Sequence, residues 1–259
     1  MNVPQNRPGE IAAPAKRQPL VFMTASGAAA QAKPGQRVDV DDVARMVDIV
    51  IVFDTTGSMS DKIDGLVRCM VSFVAELARL KLDWRFSVVP FGDLTVPGDR
   101  VVGDLPFVTT SQAAERMVKT LPQFGGGGNI GESSLEAMQA AMAKPYRLGA
   151  IKVLVMLTDD YPLIGPQLTP VSIGKELRQR EFVCFVASYP GQGYEPWANE
   201  NAGKWYPIGS SMDTSGMLAF LNGLLKDVAK VSKAIFAIGG GSVSQYILTE
   251  GEKHKPLGR

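Results

Sequence analysis

The sequence predicts an α/β protein built on a doubly wound, mostly parallel sheet, with helices on both faces and one antiparallel edge strand. Three observations carry that prediction. VDIVIVF at 47–53 and IKVLVML at 151–157 are almost continuously apolar and rich in β-branched residues, the pattern of strands buried on both faces. Segments with apolar residues at helical spacing alternate with such runs. Polar residues collect where the apolar runs stop, the end at which open α/β sheets bind ligands.

Residues 1–45 are rich in Pro, Ala, Gly and Gln without periodicity, which predicts a disordered or extended lead-in with one strand near Leu20–Thr24. The domain is expected over 46–231. Its first strand is followed by a helix capped by Ser60, with Ile63, Leu66, Val67, Met70, Val71, Val74 and Leu77 at helical spacing. A strand is expected at Trp84–Phe91, the edge strand at Val101–Val108 and a short helix at Ala113–Thr120. After Gly125–Gly128, Asn129 and Glu132 have the spacing of a capping box ahead of a helix whose buried stripe is Leu135, Met138 and Met142. Strand 151–157, helix 170–180, strand 182–188, a short strand at 204–208 and a final helix from Asp213 complete the domain. Residues 232–259, with GGGS and a basic end, read as a tail.

Composition excludes several function classes. The net charge is +1, so no general electrostatic attraction to nucleic acid is expected. No apolar run approaches the ~20 residues of a membrane span. Lys16 and Arg17 precede PLVFMTASGAAA, but its polar interruptions argue against a signal peptide. Cys69 and Cys184 lie in apolar runs and read as buried thiols, which suits a reducing, cytoplasmic setting. The only histidine, His254, sits in the polar tail, which removes histidine triads and histidine-ligated zinc together. The glycine run lacks G-x-x-x-x-G-K-[ST], so it is not a nucleotide loop of that kind.

Three polar clusters follow predicted parallel strands and so share one rim: Asp54–Thr56–Ser58, the Gly125–Asn129 loop, and Asp159–Asp160. A carboxylate with hydroxyls at i+2 and i+4 offers hard oxygen donors to a small cation such as Mg²⁺. Taken singly, Asp54 ends a strand and Ser58 or Ser60 caps a helix; taken with Asp159, they point to metal binding. Asp93 reads as a turn residue or as a border of the same site, and the late-loop aromatics Tyr189, Tyr194, Trp197, Trp205 and Tyr206 as packing or partner surface.

D-T-T-G-S at 54–58, preceded by VDIVIVF, resembles the first motif of von Willebrand factor type A domains, relatives of the integrin I domain, whose metal-ion-dependent adhesion site reads D-x-S/T-x-S. GGGGNIGES resembles the second loop of that family and VLVMLTDD its third motif, and the resemblance runs from about Val47 to Val231. It implies that Thr56 and Ser58 coordinate Mg²⁺ (or Mn²⁺ or Ca²⁺) directly, that Asp54 and Asp159 hold it through water, and that one position stays open for a partner's carboxylate. Two departures stand out. Asn129 occupies the place of a threonine ligand, open to the roles of ligand, partner of a ligand, or helix cap; Asp160 replaces the usual glycine.

The function so implied is a non-enzymatic adaptor that binds an acidic residue of another protein, such as an AAA+ ATPase or a kinase–phosphatase system. One alternative is a haloacid-dehalogenase-like phosphotransferase, which wants D-x-D where this chain has Thr56. The other is a metal-free scaffold of the same fold.

Overall fold

A computed structural model describes residues 21–23, 29–31, 46–59, 72–73, 75, 79, 82–128, 131–209, 214–237 and 242–253. The chain divides into two units, 1–44 and 45–259. In the first, β1 (Val21–Met23) pairs antiparallel with β2 (Ala29–Gln31), so the expected strand has a partner.

The second unit is organised by a five-stranded sheet of β3 (Met46–Asp54), β4 (Asp83–Phe91), β5 (Ile151–Leu157), β6 (Phe182–Ser188) and β7 (Trp205–Pro207). Its order is β4-β3-β5-β6-β7 and every pairing is parallel. The chain steps from β3 to β4 on one side, then returns past β3 to lay β5, β6 and β7 on the other. The direction of winding therefore reverses between β3 and β5, where such sheets open a binding crevice. Asp54, the last residue of β3, emerges at that point beside the end of β5.

Side chains alternate along β3 as the pleat requires. Val47, Ile49, Ile51 and Phe53 join a core with Ala114 and Val118 of α1 (Ser111–Lys119) and with Phe220, Leu221, Leu224 and Val228 of α5 (Thr214–Ala237). Val50 and Val52 join the other core, with α2 (Ser134–Met142), α3 (Pro170–Gln179) and α4 (Glu195–Asn199). Both faces are covered, which explains why β3, β5 and β6 read as apolar runs rather than as alternating patterns. The expected stripe Leu135, Met138 and Met142 is fully buried.

Four expectations are corrected or relocated. The edge strand at 101–108 does not form; Val101 and Val108 make only isolated antiparallel bridges to Phe91 and Phe86. Pro90 of β4 has no N–H to donate, Pro106 interrupts the facing segment, and the Gly103 and Leu105 carbonyls are taken by Lys144 Nζ and Ser87 Oγ. The Asn129–Glu132 capping box is not the start of α2: the helix begins at Ser134, and Glu132 pairs through its backbone with Tyr161 and Leu163. The helix expected after Ser60 falls mostly outside the described residues, as do Ser60 and Cys69, although Ser72, Phe73, Ala75 and Arg79 are helical. The stretch read as a tail from 232 holds the last turns of α5 and a further helix, α6 (Val243–Lys253), whose Val243 is buried in the first core.

Two features tie the far end of the sheet together. Asp48 of β3, fully buried, accepts hydrogen bonds from Arg85 and from the backbone and side chain of Arg147. Gly203 passes so close to β6 that a Cβ there would overlap the Cys184 carbonyl. Among the described residues, no helix is long and apolar enough to cross a membrane.

Candidate functional site

At the end of β3 the Asp54 carboxylate is fully buried and serves as the hub of the rim. Its Oδ1 accepts from the Thr56 backbone N–H at 3.0 Å and from Thr56 Oγ1 at 2.7 Å, closing a tight turn. Its Oδ2 accepts from Thr158 Oγ1 at 2.8 Å, which ties β3 to the loop after β5. The 3₁₀ turn Gly57–Met59 then presents Ser58 Oγ 3.2 Å from Thr56 Oγ1 and 3.0 Å from Asp159 Oδ1. Residues 54, 56, 58 and 159, predicted from sequence to act together, thus form one continuous chain of oxygens.

The protons in that chain are limiting. Each hydroxyl carries one. Two hydroxyl protons therefore serve three contacts: Thr56 to Asp54, Ser58 to Asp159, and the one between them, in which either hydroxyl can donate. Two hydroxyl oxygens thus face each other beside two carboxylates, a set of hard oxygen donors.

Burial, partly opposed by the threonine hydrogen bonds, pushes the Asp54 carboxyl up to about 6, with Asp159 adding to the rise. Glu132 lies close by: a Cβ on Gly126, whose φ is +69°, would meet Thr56 Cβ at 3.3 Å and Glu132 Oε1 at 3.4 Å. Glycine at 126 lets the loop pass between these two side chains. Asp99 holds that loop by accepting from the N–H groups of Gly125 and Gly126, both at 3.0 Å. Glu132 is buried, and its Oε2 has no hydrogen-bond partner among the described residues; the same holds for Oδ2 of the buried Asp93. Burial, with repulsion from Asp54, Asp93, Asp160 and Asp99, raises the Glu132 carboxyl to about 8.

Both carboxyls bind protons more tightly in the folded chain than in the unfolded one. Their contribution to stability is complete below the ordinary carboxylate range and is lost as pH rises through about 6 and then about 8. In chelator, the urea midpoint is expected to fall between pH 5 and pH 8.5. Glu132→Gln should flatten the upper part of that fall, and a wild-type profile level across the range would contradict the assignment.

Asp160 turns away from the hydroxyl pair: its carboxylate accepts from the backbone N–H groups of Gly131 and Tyr161, so it links the second and third loops. Asn129 lies outside the described residues. Asp93 closes a turn like that of Asp54, accepting from both the N–H and the hydroxyl of Thr95. Tyr194 and Trp197 are fully buried. Sequence reasoning assigned Glu132 a capping role and so missed its place beside Thr56; the glycine at 126 was the available signal. Among the described residues, no group of three or more His, Cys, Asp or Glu side chains is arranged to hold a metal.

Comparison with known proteins agrees with this architecture. A family model described as von Willebrand factor type A domain matches residues 48–203. Among solved structures, proximal thread matrix protein 1 from the mussel byssus (crystal form 2) is similar, with a TM-score of 0.53 and 14% identity over 71% of this chain. At that identity the likeness shows the fold alone, and the match spans 46% of the mussel chain. None of the curated proteins compared matches the sequence.

Proposed function

This chain belongs to the von Willebrand factor type A domain family, and on that premise we propose that it is a divalent-metal-dependent interaction module that binds an acidic side chain of a partner protein. Members of the family are generally protein-interaction modules and typically lack enzymatic activity. The observation that carries the reading is the convergence of Thr56 Oγ1, Ser58 Oγ and the Asp54 and Asp159 carboxylates in one continuous chain of oxygens at the end of β3.

The donor set fits a small hard cation. Octahedral ligands at 2.0–2.1 Å from Mg²⁺ place neighbouring oxygens about 2.9 Å apart. The separation of the two direct ligands, Thr56 Oγ1 and Ser58 Oγ, is 3.2 Å. Thr56 and Ser58 would hold the ion directly, and Asp54 and Asp159 through water. Mn²⁺ suits the same oxygens. When bound, the cation supplies the positive charge that a partner's Asp or Glu needs.

Without it, this rim opposes such a partner: Asp54 ends β3, and Asp93, Asp99, Asp159 and Asp160 lie on loops at the same end of the sheet. Cation dependence follows from that electrostatics. The phosphotransferase alternative gains nothing, because Thr56 stands where a second carboxylate would act and its proton is committed to Asp54. Buried Cys184, held as a free thiol, is compatible with a cytoplasmic location.

The test is thermal unfolding in a MgCl₂ titration. Mass action predicts about 2.7 kcal/mol of added stability at a hundredfold excess over the dissociation constant, which is roughly 5–10 °C for a domain of this size. A midpoint unmoved by Mg²⁺ and Mn²⁺ would favour a metal-free scaffold.

A further inference from the structure

Resting on that reading, we infer that the loop between β6 and α4 is a positioning element for the ion site, with Gln192 and Tyr194 acting through the backbone of Asp159 and Asp160. The two side chains grip consecutive carbonyls of the third loop. Gln192 Nε2 donates to the Asp159 carbonyl at 2.8 Å, and the Tyr194 hydroxyl donates to the Asp160 carbonyl at 3.0 Å. Asp159 is the residue whose carboxylate meets Ser58. Holding its peptide unit on the inner side therefore aims its side chain across the rim.

Each grip is fully committed. Gln192 Oε1 accepts from the Tyr189 N–H at 2.9 Å, which fixes the orientation of the amide: a flip would set donor against donor and acceptor against acceptor. Tyr194 has spent its proton on Asp160, so Ser134 must donate into the 2.9 Å contact with the Tyr194 hydroxyl. Neither side chain is on the surface, with Gln192 5% and Tyr194 0% exposed. The backbone is shaped for this purpose: Gly191 and Gly193 flank Gln192 at φ values of +80° and +87°, where a residue with a Cβ is strained. Tyr194 is further braced by the Trp197 ring, edge to face at 5.0 Å between centroids.

Outer groups that orient metal ligands typically change affinity by about 10- to 100-fold when removed. Isothermal titration of the full chain with MgCl₂ tests the inference, using wild type, Gln192→Leu and Tyr194→Phe. Each variant is expected to bind Mg²⁺ at least about tenfold more weakly. A purely packing role would lower the urea midpoint in chelator without moving Mg²⁺ affinity. Gln192→Asn keeps the amide but shortens its reach, and should show the same weakening where Gln192→Leu does not fold. Wild type that binds Mg²⁺ alongside variants within twofold of it would overturn this inference alone. Wild type that takes up no Mg²⁺ would overturn the ion-site reading as well.

Discussion

Ser58→Ala is expected to abolish Mg²⁺ binding, and with it any metal-dependent capture of an acidic partner, while leaving the metal-free domain folded. The reason lies in where Ser58 sits. It is exposed on a short 3₁₀ turn, so truncating it creates no cavity. Its oxygen nonetheless contacts both the first-motif hydroxyl of Thr56 and the carboxylate of Asp159. Losing a direct ligand should cost more than losing an outer one, hence at least about 100-fold in affinity. Asp54→Ala should remove binding too, but less cleanly. Three donors, the Thr56 N–H and hydroxyl and the Thr158 hydroxyl, would lose their acceptor at a fully buried position. Each buried orphan costs about 1–3 kcal/mol. Titration calorimetry paired with urea unfolding in chelator separates the two: Ser58→Ala moves the first reading only, Asp54→Ala both. Retained Mg²⁺ affinity in Ser58→Ala would count against the assignment.

A large loss of stability without loss of Mg²⁺ binding is expected from Asp48→Ala, at the opposite end of β3. Asp48 lies six residues from Asp54 along the strand, about 20 Å at 3.3 Å per residue. Its buried carboxylate takes both Arg85 Nε and its terminal nitrogen, together with the N–H and Nε of Arg147. Arg147 continues to Asp83, and Arg85 stacks on Phe107 with its carbon 4.4 Å from the ring centre. Removing the anion leaves two guanidinium groups, 20% and 22% exposed, facing each other with no counter-charge between them. Breaking a buried pair from one side costs about 3–5 kcal/mol, on the order of 10 °C in midpoint for a domain of this size. Mg²⁺ affinity of the folded fraction should be unchanged, because the clamp and the rim share only the strand between them. A loss under 1 kcal/mol would show that the clamp is not a keystone of the sheet.

The central strands were legible because burial on both faces removes alternation: Val47–Phe53 and Phe182–Ser188 read as strands from composition alone. Their polar ends were legible for the same reason, since Asp54 and Asp159 interrupt apolar runs abruptly. What failed was local pattern without its tertiary competitors. Val101–Val108 has strand-forming residues, yet its carbonyls are claimed by the Lys144 and Ser87 side chains, and Pro90 cannot reciprocate. Asn129–Glu132 has the spacing of a cap, yet the pairing of Glu132 with Tyr161 and Leu163 outweighs it, and Ser133 bonds to the Leu94 N–H instead of capping α2. Glu132, Gln192 and Tyr194 acquire their places at the rim only through loops brought together by the fold, which no spacing in the sequence encodes.

Anomalous diffraction from crystals soaked in MnCl₂ tests the account most directly. A single strong manganese peak is expected within bonding distance of both Thr56 Oγ1 and Ser58 Oγ, with Asp54 and Asp159 in its surrounding shell. A map with no such peak there, while the two hydroxyls keep their separation, would contradict it.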